Sequence, residues 1–158
     1  MTPGPAERPA AGFLAALPEE DRARLVSLAR DASFPAAARI FEEGDPAERF
    51  WILRSGSVAL DIQVPGRGRA VVETIGPGAL LGWSWLCPPR EWHLGAEAQD
   101  SVQAWEFEAS AVEALCVERP VLGLALVTLV ARTIGERLRA TRTRLLDLYA
   151  PERPGTLR

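Results

Sequence analysis

The hydrophobic pattern along the chain changes period twice. Over residues 13–31 apolar side chains recur at helical spacing, with Leu25, Leu28 and Ala29 on one face. Leu17-Pro18-Glu19-Glu20-Asp21 sets a proline in the first turn and acids at the positive end of the helix dipole. A helical segment is therefore predicted over 13–31. From Ser33 to Glu108 the apolar runs are short and rich in Val, Ile, Phe and Trp. Strands are predicted at 33–35, 39–41, 50–53, 58–62, 70–75 and 102–107. Between them lie the turn signals Glu43-Gly44-Asp45-Pro46, Ser55-Gly56-Ser57, Pro65-Gly66-Arg67-Gly68 and Gly76-Pro77-Gly78. Gly44 and Gly56 are expected to take positive φ in tight turns. Short strands at intervals of about 8–12 residues point to a sandwich, barrel or jelly roll.

Helical spacing returns at Ser110, where Ser110-Ala-Val-Glu113 reads as a capping box opening a short helix. Pro120 then starts a long helix running to about Tyr149. The expected class is α+β: an antiparallel β-roll or jelly roll flanked by N-terminal helices and a long C-terminal helix. Within that helix Val127, Ala131, Ile134, Leu138, Thr141, Leu145 and Leu148 form a heptad seam. Leu122, Leu126, Leu129 and Val130 form a second apolar face. One face can cover the β-layer and the other then needs a partner, so a homodimer through residues 127–148 is expected.

Composition narrows the class without changing it. At 158 residues, 47% apolar and 25% charged, the chain suits one globular domain. Residues 1–12 read as a disordered lead-in, 13–149 as the domain and 150–158 as a flexible tail. The net charge of −3 argues against a general nucleic-acid binder. Cys87 and Cys116 match no metal spacing and read as free thiols, implying a cytoplasmic setting. The longest mainly apolar run, 121–131, is too short to span a bilayer, so no membrane partner is expected. The arginine-rich run 132–144 reads as a solvated basic face.

The segment Gly82-Trp-Ser-Trp-Leu-Cys-Pro-Pro-Arg-Glu-Trp-His-Leu-Gly-Ala96 concentrates the unusual chemistry. Three of the five tryptophans lie there, beside the single histidine. Trp83, Trp85 and Trp92 can stack on a flat ligand, fill the core or anchor another protein together with Pro88 and Pro89. His93 alone cannot build the clustered-histidine metal site of a jelly-roll enzyme. Neither Ser84 nor Cys87 shows a base with an orienting partner in sequence. No catalytic residue, metal or resident cofactor is predicted.

Taken in order, these elements resemble a cyclic-nucleotide-binding domain of the Crp/Fnr type. Phe13-Leu-Ala-Ala-Leu-Pro-Glu-Glu20 is similar to the family's opening helices. Phe34 to Gly56, in which an apolar strand meets Glu43-Gly44-Asp45 and a second strand ends at Ser55-Gly56, resembles its most recognisable block. The resemblance implies a regulatory, non-catalytic domain that binds a cyclic nucleotide such as cAMP or cGMP, or another small anionic ligand. The family's phosphate-binding segment starts F/L-G-E and ends near P-R-x-A. Leu81-Gly82 matches its start and Pro89-Arg90 its arginine, but Trp83 replaces the glutamate. Trp83 can only donate a hydrogen bond, so it cannot accept from a ribose hydroxyl as a carboxylate does.

On this resemblance Arg90 pairs with the phosphate, and the backbone of Gly82 to Ser84 completes the cradle. Glu91 offsets Arg90, Trp92 and His93 wall the pocket, and Thr141 and Arg142 reach the base. Nine residues follow the long helix, too few for a helix-turn-helix, so direct DNA binding is not expected. The alternative is a fold that has lost its nucleotide and works as a protein–protein interaction module with an unknown partner.

Overall fold

The computed structural model describes residues 12–150. The expected lead-in and tail lie outside the described residues, except for Gly12 and Ala150 at their inner edges. A 3-10 turn at Phe13–Ala16 precedes α1 (Glu19–Val26). The strands are β1 (Arg30–Phe34), β2 (Arg39–Phe41), β3 (Arg49–Ser55), β4 (Val58–Val64), β5 (Gly68–Ile75), β6 (Leu80–Leu81), β7 (Gly95–Ala98) and β8 (Val102–Glu108). A second 3-10 turn, Ser84–Leu86, bridges β6 and β7. The chain then enters α2 (Ala109–Glu118) and α3 (Pro120–Tyr149).

Two four-stranded antiparallel sheets, ordered β1-β8-β3-β6 and β2-β7-β4-β5, form the expected jelly roll. Their inner faces meet over a core that includes Phe50, Trp85 and Phe107, with Phe50 stacked on both of the others. Gly44 and Gly56 adopt φ of 89° and 83°, as their turns require. Gly95 has a different reason to lack a side chain: a Cβ there would meet Arg39 and Asp61. Those two form a 2.5 Å ion pair beside β7, with Asp61 buried.

Three expectations need correction. The helical segment predicted over 13–31 ends early, because Arg30–Phe34 pairs with β8 as an edge strand, Arg30 opposite Glu106. Sheet pairing overrides local helical spacing there. The capping box is not used: α2 begins at Ala109, Ser110 lies inside it, and no side chain caps it. The Ala109 N–H instead donates to the Glu48 carbonyl, so a neighbouring loop satisfies the helix end. Two strands, β6 and β7, carry no β-branched residue and were not predicted.

The long helix starts at Pro120 and ends at Tyr149, as expected. Leu122, Leu126, Leu129 and Val130 are buried against the rest of the domain. Of the predicted seam, Val127, Ala131, Leu138, Thr141, Leu145 and Leu148 are exposed, and Ala131, Leu138 and Leu145 form an outward line along the helix. Ile134 is half-buried against the core instead. Among the described residues no helix is long and apolar enough to cross a membrane. Cys87 and Cys116 are both free thiols.

Candidate functional site

A cavity of about 360 Å³ separates the roll from the middle of α3. On the roll side it is walled by Gly82, Trp83, Ser84, Trp92 and His93, with aliphatic groups from β4 and β5. On the helix side lie Ile134, Arg137, Leu138 and Thr141. The segment after β6 can enter this wall because Gly82 holds φ +90°. A Cβ at Gly82 would stand 2.7 Å from the Trp92 indole, so the absent side chain also makes room for that ring.

The three tryptophans of this segment divide between two tasks. Trp85 is 2% exposed and packs on Phe50, ring centroids 5.0 Å apart. Trp92 is 5% exposed and stacks on Phe41 at 4.0 Å, so it forms floor and core together. Trp83 is only half-buried, and its ring lies 4.2 Å from that of His93.

His93 Nδ1 shares a 2.8 Å hydrogen bond with Ser84 Oγ. The sequence showed no base for Ser84, yet the fold supplies one. Ser84 is nevertheless buried, and among the described residues no carboxylate hydrogen-bonds the imidazole to orient it. Burial, then the charge of Arg137, push the imidazole below its ordinary pKa, and Glu43 opposes them. The ring is therefore neutral near pH 7.

Arg137 is the charged residue that the sequence reading passed over. Far from belonging to a solvated basic face, it donates to the Leu80 carbonyl and holds Nε 3.7 Å from Glu73 Oε2. Burial lowers its pKa, while Glu73 acts in the other direction. Its position three residues after Ile134 and four before Thr141 was the available signal. Glu73 gave none, being one polar position in an alternating strand.

The predicted site residues separate into two groups. Gly82, Trp83, Ser84, Trp92, His93 and Thr141 share the cavity wall. Arg90, Glu91 and Arg142 do not line it. Arg90 adopts φ +58° and turns into a different groove, where its Nη1 lies 3.2 Å from Glu113 Oε1. That groove is also lined by Glu48 and Glu108. Glu91 is exposed and bridges to Pro46, and Arg142 is exposed on α3.

Comparison with known proteins agrees with this architecture. Residues 32–119 match the family model described as "Cyclic nucleotide-binding domain". The chain is 27% identical over 133 residues to a CRP-like cAMP-activated global transcriptional regulator of Mycobacterium tuberculosis. That match covers 84% of this chain but 58% of the relative's length. The fold superposes on a cyclic nucleotide-binding domain from Methylobacillus flagellatus with a TM-score of 0.77 at 20% identity, covering 90% of this chain and 78% of the other. It superposes on the Thermus thermophilus catabolite activator protein with a TM-score of 0.70 at 25% identity, covering 87% and 62%.

Proposed function

The chain belongs to the cyclic nucleotide-binding domain family, and from that premise we propose that it is a cytoplasmic, non-catalytic regulatory domain sensing a small ligand between its roll and α3. The ligand is built on a flat ring, the class that includes cAMP and cGMP. Its signal passes through α3 to a homodimer interface and from there to a separate protein. One observation carries this reading: a single cavity is walled by both the 82–93 segment and the helix residues Ile134, Leu138 and Thr141. A ligand touching both walls has a different contact energy for each helix position, which is what it needs to bias a conformational equilibrium. Trp83 and His93 supply ring faces for a flat ligand. The exposed apolar line on α3 supports the dimer, and Leu138 belongs to both that line and the cavity.

The test is titration of wild type and Leu138→Trp with cAMP, cGMP, adenosine and guanosine, read by tryptophan fluorescence and thermal shift. Leu138→Trp fills the cavity from the exposed side. The reading expects a saturable response in wild type that weakens by at least about tenfold in the variant. No saturable response at millimolar ligand would overturn it.

A second reading, a protein–protein interaction module without a nucleotide, is favoured by the Trp92 indole occupying the space above Gly82. Leu145, Leu146, Leu148 and Tyr149, all more than half exposed at the end of α3, would then be its docking face.

A further inference from the structure

We propose that the cavity is built for an uncharged planar ligand, a nucleoside or other neutral heterocycle, and discriminates against the cyclic phosphate. This rests on the ligand-sensing reading and names the class of ligand. The wall carries two charged side chains, Arg137 and Glu73, and they face each other across 3.7 Å. One N–H of Arg137 is already committed to the Leu80 carbonyl. His93 also lines the wall, with Nδ1 held by Ser84 and its pKa lowered by burial. The charges of the wall therefore cancel.

Most of the remaining lining is apolar, including Phe41, Leu60, Ile62, Val72 and Leu94. A phosphodiester anion entering this space would shed its water and meet one cation, Arg137, whose charge Glu73 already offsets. It could take an N–H of Arg137 only by sharing that cation with Glu73, which sets two anions side by side in the wall. Arg90 cannot relieve that, because it lies in the separate groove with Glu113, Glu48 and Glu108. Arg144 is exposed, donates to the Val72 carbonyl and does not line the cavity. A neutral ring brings no such repulsion. It can stack against Trp83 and His93 and accept a hydrogen bond from the guanidinium of Arg137, with Glu73 left in place.

Adenosine and cAMP share base and ribose and differ in the cyclic phosphate, so they isolate the charge. Each is titrated into wild type and Glu73→Gln by tryptophan fluorescence and calorimetry, with indole as a second neutral probe. The expected result is wild-type binding of adenosine at least about tenfold tighter than cAMP. Glu73→Gln removes the negative charge and keeps the shape, and should narrow that gap by about tenfold. Binding of cAMP as tight as adenosine, or tighter, would overturn the inference and leave ligand sensing intact. A gap unchanged in Glu73→Gln would remove the charge argument and the inference with it. No response to adenosine, indole or cAMP would overturn both.

Discussion

His93 stands between opposing influences. Burial and Arg137 disfavour its charged form, and Glu43 favours it, with burial the largest. Its folded pKa is thus below the ordinary 6.5. The unfolded chain then binds the proton more readily than the folded one, so stability is full above pH 6.5 and declines as pH falls toward the folded value. Because the chain has a single histidine, the effect can be isolated. Urea unfolding at steps between pH 7 and pH 5.5 should show a midpoint that falls with pH in wild type and falls less in His93→Gln. Equal slopes would rule out the His93 imidazole as the cause. At this scale the sequence was partly legible. Its crowded tryptophans and lone histidine marked the right segment, because large apolar groups between turn signals must be buried somewhere. It could not show that Arg137 lines the cavity while Arg90 pairs with Glu113 outside it. A side chain's direction after the Pro88-Pro89 turn depends on contacts with Glu113, from an element beginning some twenty residues later. Likewise Arg137 is tied down by Leu80 and Glu73, both far away in sequence.

Among the elements, legibility followed the strength of local pattern. The strands rich in Val, Ile, Phe and Trp were readable, and so were the limits of α3, fixed by Pro120 and the end of helical spacing. β6 and β7 were not readable, because Leu80–Leu81 and Gly95–Ala98 become strands only through pairing with β3, β4 and β2. The period of the seam on α3 was readable, and six of its seven predicted positions are exposed, with Ile134 half-buried. The phase is set by the buried face at Leu122, Leu126 and Val130. It leaves Leu145, 53% exposed, on the outward line with Leu138, and Leu146 to one side of it. Burying a leucine contributes about 1.5–3 kcal/mol, and a symmetric dimer loses two copies at once. Leu145→Glu should therefore weaken the proposed homodimer by at least about a hundredfold, with Leu146→Glu close to wild type. Sedimentation velocity across a dilution series measures this, and an unchanged Leu145→Glu dimer would place the interface elsewhere.

For the whole molecule, the proposed ligand cavity and the proposed dimer line are not independent, because Leu138 is part of both and α3 is one continuous helix from Pro120 to Tyr149. Within the middle of the helix, Ile134, Arg137 and Thr141 face the roll, while Ala131, Leu138 and Leu145 face outward. Beyond Leu138 every residue of α3 is exposed, so in the monomer little intrasubunit packing fixes that part of the helix. A partner helix along the outward line would hold it and so pre-form the inner wall of the cavity. The ligand then binds the dimer more tightly than the monomer, by a coupling of roughly five- to 150-fold if it is of ordinary size. Linkage requires the reverse effect to be equal: saturating ligand must strengthen dimerisation by that same factor for each site filled. Leu145→Glu supplies the monomer without touching the cavity wall. Adenosine affinity measured on that variant and on wild type, set beside the wild-type dimer constant with and without adenosine, closes the cycle. Equal affinities in monomer and dimer would mean that the cavity and the helix line do not communicate, and that a ligand held there sends no signal through α3.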